Sequence, residues 1–252
     1  MNEPAPSIAD IPPVAKAPPH GGSVIYRHRV VTRLWHWINA LTIFIMIGSG
    51  LMISNAHPHL YWGNYGANFD HPWLSLPRWP GWVTIPGSYN LALARRWHLL
   101  FALVLGFGLL FFMIASLINR HFQRDLRVRA GELKPRNLLH DLKEHLAFRF
   151  HDPANPAAFN IFQKLSYVLV IFILIPVMIL TGLTLSPGMN AAWPWLLDIF
   201  GGRSSARSIH FIAAAGLAVF IIVHLALVIL AGPLNEVRSM ITGRWKVPED
   251  NA

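Results

Sequence analysis

The chain has 252 residues, of which 54% are hydrophobic and 13% charged. Soluble domains carry about a quarter charged residues, so this is the composition of a membrane protein. The formal charge is +9 and there is no cysteine, which excludes covalently attached c-type haem, thiolate-ligated iron–sulfur clusters, disulfides and cysteine zinc sites within the chain; any redox centre must hang on histidine or be borrowed.

Residues 1–24 are rich in Pro, Ala and Gly without an apolar run, and read as a disordered tail. They lack the basic start and apolar core of a signal peptide, so the first apolar segment is expected to be a retained membrane helix. Four segments carry the roughly 20 apolar residues needed to span a bilayer: about 34–54, 95–118, 163–186 and 208–230. Between the first two lies a Trp-, Pro- and His-rich loop, 55–94. It reads either as a compact cap and docking platform or as an interfacial loop with aromatic anchors. Between the second and third spans, residues 135–150 place Leu138, Leu139, Leu142, Leu146 and Phe150 at helical spacing. That predicts a short amphipathic helix lying on lipid headgroups. Pro176, inside the third span, predicts a kink, because lipid forces the backbone to stay hydrogen-bonded. Residues 246–252 read as a short tail, leaving 25–245 as one all-α membrane domain, a four-helix bundle.

Charge sets the orientation. Sixteen Lys and Arg fall in the N-terminal tail, the second-to-third loop and the C-terminal tail, whereas Arg78, Arg95, Arg96, Arg203 and Arg207 lie on the other side. The positive-inside rule places both termini in the cytoplasm. Membrane lipid is then the expected neighbour of the basic loops, and nucleic acid is not an expected partner.

Four histidines fall within the spans: His36, His98, His210 and His224. His210 and His224 are fourteen residues apart on the fourth segment, so they sit about 21 Å apart along the axis and within about 40° in direction. With the topology above, His98 and His210 share the outer depth, and His36 and His224 share the inner depth. An intramembrane imidazole has a structural reading, as a hydrogen-bonded interior residue. Two depth-matched pairs point instead to bis-imidazole ligation of haem iron, one histidine on each side of the porphyrin. No Asp or Glu lies in any span, which disfavours zinc or copper sites and proton-pump chemistry. Gly48, Gly50, Gly106, Gly108, Gly182 and the stretch from Ala213 to Gly216 would let a flat macrocycle approach the helices, or simply let helices pack. Arg95, Arg96 and Arg207 beside the outer pair, and Arg33 beside the inner one, could bind haem propionates or mark the headgroup level.

RLWHW in the first span, RRWH in the second and ARSIHFI with VHL in the fourth resemble the cytochrome b subunits of nickel–iron hydrogenase and formate dehydrogenase. These belong to the bacterial cytochrome b561-like superfamily, and the long outer loop is most similar to the thiosulfate-reductase-type branch. The resemblance covers residues about 25–245. It implies a four-helix bundle with two b haems, ligated by His36 with His224 and by His98 with His210. It also implies a quinone site near the inner haem, where Asn160, Gln163 and Lys164 match the family segment while Phe162 replaces its glycine. Asn160 is equally a reasonable helix N-cap.

These features describe an inner-membrane electron-transfer subunit linking the quinone pool to a periplasmic redox partner, expected to be a molybdoenzyme. The rival reading is a self-contained oxidase that passes electrons from a small periplasmic donor such as superoxide to quinone. A third is a haem-free anchor or transporter whose histidines are structural. The direction of electron flow is not readable.

Overall fold

The computed structural model describes residues 21–64, 70–146 and 160–248. The expected tail as far as residue 20, Phe150 of the amphipathic segment and residues 249–252 lie outside the described residues. The chain opens with strand β1 (Val24–Tyr26) and helix α1 (Val30–Ala56). A two-stranded ribbon follows, β2 (His59–Leu60) with β3 (Leu74–Ser75), then α2 (Leu91–Ile118). Two shorter helices come next, α3 (His121–Asp125) and α4 (Pro135–Leu146). The third span consists of α5 (Ile161–Leu169), a π-helical turn (Val170–Leu174) and α6 (Ile175–Leu185). Short helices α7 (Pro187–Ala192) and α8 (Trp195–Ile199) lead into α9 (Arg203–Leu230), α10 (Pro233–Thr242) and strand β4 (Arg244–Lys246). The protein is thus an all-α bundle of four apolar helices long enough to cross a membrane. Each begins two to five residues earlier than the hydropathy limits suggest.

The bundle is two hairpins: α1 packs on α2, and the third span packs on α9. Its exterior is apolar, unlike that of a soluble protein. Leu103, Phe111, Val219 and Ile222 face outward, while Thr42, Ser49, Thr181, Thr184 and Ser208 are buried. Apolar residues can face hydrocarbon without cost, so the interior is where hydroxyls find partners. A dry core of Ile43, Met46, Leu105, Ile175, Met178 and Leu217 fills the middle. Pro176 is handled by the π-turn that precedes it, in which the Ile175 N–H reaches the Val170 carbonyl. The wider turn relieves the pressure of the proline ring on the previous turn.

The two ends are closed differently. At one, the cap end, residues of the 55–94 loop are pinned to the start of α9. Ser208 Oγ donates to the Tyr61 carbonyl at 2.6 Å and accepts from Trp73 Nε1 at 2.9 Å. Gly63 and Ser205 exchange two more bonds. Gly202, at φ +103°, lies so close to Gly63 and Asn64 that no β-carbon fits. Asn55 brackets the backbone of Trp79 on both its N–H and C=O. The described residues of the loop therefore form a compact cap, with Trp62 and Trp82 exposed on it.

At the other, the ribbon end, β1 pairs antiparallel with β4. Further bonds join Gly22 and Ser23 to Val247, so the ordered ribbon extends a few residues past the 25–245 limits. The sequence gives no sign of this pairing because each strand is three residues long. Fully buried Trp245 donates to Glu236 Oε1 at 2.9 Å, and the Arg27 guanidinium lies 4.7 Å over its ring and 3.7 Å from Glu236. Helix α4 matches the expected amphipathic segment over 135–146 and is tied to the base of the third span. Asp141 accepts from Ile161 N at 3.2 Å, and Lys164 pairs with Glu132 at 2.9 Å.

Candidate functional site

The four span histidines meet in two pairs. His98 of α2 faces His210 of α9 with ring centres 6.2 Å apart and planes at 61°. His36 of α1 faces His224 of α9 with centres 6.3 Å apart and planes at 60°. The first pair lies at the cap end and the second at the ribbon end. Because His210 and His224 share the unbroken helix α9, the pairs are about 21 Å apart along its axis. Among the described residues no three His, Asp or Glu converge.

The ring spacing tests the fit to haem. An imidazole nitrogen bonds a transition metal at about 2.0–2.1 Å and its ring centre lies about 1.1 Å behind, so two imidazoles on opposite sides of one iron have centres about 6.3 Å apart. A direct N–H···N hydrogen bond would bring them to about 5.1 Å. Both observed separations match the first value and exceed the second.

The cap-end pair also has its tautomers fixed. Ser49 Oγ lies 2.8 Å from the Ile45 carbonyl and 3.2 Å from that of Met46, so its proton is committed to its own helix. The same oxygen is 3.0 Å from His98 Nδ1. The oxygen accordingly accepts from His98 Nδ1–H, to which the Met46 carbonyl offers a second acceptor, and the Nε2 lone pair is left for a metal. Thr181 repeats the arrangement: it donates to the Val177 carbonyl at 2.6 Å and accepts from His210 Nδ1 at 2.8 Å, with the Met178 carbonyl as the second acceptor. Ser49 and Thr181 went unnoticed in the sequence because isolated hydroxyls in apolar spans are common. Their one local signal is that each is followed by glycine.

The glycines sort by role. An added β-carbon would lie 3.5 Å from His98 Cε1 at Gly50 and 3.4 Å from His210 Cε1 at Gly182. Gly48 instead receives the cap side chain Ile85, Gly216 packs on Leu174, and Gly106 and Gly108 border open space.

Around the cap-end pair, Arg95 Nη2 lies 3.3 Å from His57 Nε2. Burial, then Arg207 and Arg95, hold His57 below its ordinary pKa, so this end presents fixed positive charge for an anion such as a carboxylate. At the ribbon end Arg33 Nη1 donates to the Ile241 carbonyl and Trp37 Nε1 to that of Met240, locking α1 to α10. Asn160 and Gln163 form a reciprocal capping box at the start of α5, with Asn160 Oδ1 accepting from Gln163 N at 2.8 Å and Gln163 Oε1 from Asn160 N at 3.2 Å. Their side-chain oxygens, and the Lys164 ammonium held by Glu132, thus have structural work at the entry of the third span.

Residues 27–243 match the family model described as prokaryotic cytochrome b561. The chain belongs to that family. This cytochrome b561 family member is therefore a multi-pass membrane protein that carries electrons on b-type haem. Among its relatives, a putative protein-methionine-sulfoxide reductase subunit, YedZ1, of Azospira oryzae is 30% identical over 200 residues, covering 79% of this chain and 87% of the relative. Probable Ni/Fe-hydrogenase B-type cytochrome subunits of Azotobacter vinelandii and Azotobacter chroococcum are each 23% identical over 240 residues, covering 91% of both chains. No solved structure matches.

Proposed function

We propose that this cytochrome holds two b haems, one between His98 and His210 and one between His36 and His224, and carries electrons between the quinone pool and a redox subunit docked at the cap. The observation that carries this reading is the repetition of one ring geometry, 6.2 and 6.3 Å at 61° and 60°, at two depths of the bundle. When bound, haem b supplies a one-electron iron couple. The chain's own residues do the rest. Each ring pair joins the two hairpins, since α1 and α2 supply one ligand each and α9 supplies both partners. The core of Met46, Leu105, Met178 and Leu217 keeps the space between the sites dry.

The charge asymmetry supports an orientation with the ribbon end and both termini in the cytoplasm and the cap in the periplasm of a bacterial inner membrane. Quinone would exchange at the ribbon end near Asn160, Gln163 and Lys164, at the entry to the third span, where the resemblance places it. Arg207 at the cap end and the Nε of Arg33 at the ribbon end, which meets no acceptor among the described residues, are the propionate partners proposed. The named subunit roles of the relatives favour a partner protein, and the resemblance to formate dehydrogenase subunits supports a molybdenum-dependent periplasmic oxidoreductase. The pinned cap, which lies over the start of α9, also suits a docked protein better than a small free donor.

Spectra of alanine variants test the proposal. His98→Ala and His210→Ala should each remove one reduced b-haem species, and His36→Ala and His224→Ala the other. Loss of one shared species on His36→Ala and His98→Ala, or one haem per wild-type chain, would refute it.

A further inference from the structure

The two ring pairs are matched in spacing but not in their surroundings. At the cap end, each imidazole is held on two sides by a hydroxyl–glycine dipeptide from the neighbouring helix of its own hairpin. Ser49 accepts from His98 Nδ1 while Gly50 leaves room beside His98 Cε1. Thr181 accepts from His210 Nδ1 while Gly182 does the same beside His210 Cε1. The two hairpins are otherwise unlike in sequence, so the repetition answers a requirement of the imidazole. At the ribbon end the Nδ1 of His36 is buried and meets no hydrogen-bond partner among the described residues.

We infer that Ser49 and Thr181 are positioning residues that set the reduction potential of the cap-end haem separately from the ribbon-end one; this rests on the ligand assignment proposed above. An Nδ1–H that donates to a fixed acceptor makes the opposite nitrogen a stronger donor, and a stronger donor favours the ferric state. Both hydroxyl oxygens are strong acceptors here because their own protons are spent on backbone carbonyls at 2.8 and 2.6 Å. The braces therefore lower the potential of the cap-end site, and they also fix the angle of each ring about its bond to iron.

The test is redox titration of purified, haem-loaded Ser49→Ala and Thr181→Val, followed optically and by electron paramagnetic resonance of the ferric state. The cap-end species is identified as the one lost in His98→Ala. Each variant should shift the ferric–ferrous equilibrium of that species toward ferrous by roughly tenfold, which is 59 mV for one electron. The ribbon-end species should not move, and Thr181→Ser should restore the wild-type potential and ferric signal. If Thr181→Val sheds the cap-end haem, retention by Thr181→Ser at wild-type potential supports the brace, and loss from both variants overturns it as a packing effect. Two haems with potentials unmoved by either variant, or shifted equally at both sites, overturn the brace and leave the ligand assignment standing. A wild-type chain with a single haem, or His98→Ala retaining both species, overturns the assignment itself.

Discussion

Ser208 offers a direct test of how the cap is held. It is fully buried and sits two residues before His210. Its hydroxyl bridges the Tyr61 carbonyl at 2.6 Å and Trp73 Nε1 at 2.9 Å, so it joins both sides of the β2–β3 ribbon to α9. Ser208→Ala deletes both bonds with little change in volume. A buried partner that loses its bond costs about 1–3 kcal/mol, so the two together weaken the attachment by about 2–6 kcal/mol. Even the lower bound raises local opening about thirtyfold, at about 1.4 kcal/mol per tenfold. Amide hydrogen exchange in detergent measures it. The Trp73 N–H, bonded to the Leu60 carbonyl at 3.0 Å, and the Gly63 N–H, bonded to Ser205 Oγ at 2.7 Å, should exchange at least that much faster. Amides of the β1–β4 ribbon at the other end should keep their protection. Unchanged exchange at Trp73 and Gly63 would mean that the cap is held by something other than this bridge.

Gly182→Val should eject the cap-end haem and spare the other. The added β-carbon already sits 3.4 Å from His210 Cε1, and its methyls reach about 1.5 Å further; Gly106→Val, facing open space, is the control, and equal haem loss in both would refute the steric argument. His28, just before α1, is held at a pKa of about 4 by burial, with Arg27, His36, His121 and Arg33 adding like charge. Its folded pKa is depressed, so the unfolded chain takes up the proton first, and stability falls as pH drops from about 6.5 toward 4, approaching a loss of about 3 kcal/mol below that. Thermal unfolding of His28→Gln between pH 7 and pH 4 should have a flatter pH dependence than wild type, and an identical slope would refute the assignment.

The span count and the four span histidines were legible because each depends on composition along one helix. Pairing of His98 with His210 and His36 with His224 followed from depth, which is additive along a helix of fixed rise. What was hidden depends on contacts across helices. Nothing in the string SG at 49 or TG at 181 separates an imidazole brace from ordinary helix packing. Gly48 differs from Gly50 only in which neighbour arrives, Ile85 or His98. The β1–β4 ribbon joins residues more than two hundred apart through strands too short to show alternation. Asn160 was open between capping and quinone contact, and the reciprocal bonds with Gln163 show that its side-chain oxygen serves the cap.

The choice of hydroxyls at the cap-end site follows from its depth. Metal-ligating histidines in water-soluble proteins are often oriented by a carboxylate. A carboxylate inside a span costs about 2.5–3.5 kcal/mol even on the gentlest insertion scale, and these spans contain none. Serine and threonine avoid that cost by donating to the carbonyl four residues earlier in their own helix, as Ser49 does to Ile45 and Thr181 to Val177. The helix then inserts with no unsatisfied donor, and the oxygen keeps a lone pair directed across the hairpin. That lone pair is inert toward lipid and becomes useful only when the opposing helix brings an imidazole N–H to it. A residue whose cost of insertion is met within its own helix, and whose remaining capacity is an acceptor, is therefore suited to orient a ligand at this depth. Asparagine or glutamine at these positions would add two donors needing partners in the dry core, so neither should replace Ser49 or Thr181 without loss of stability.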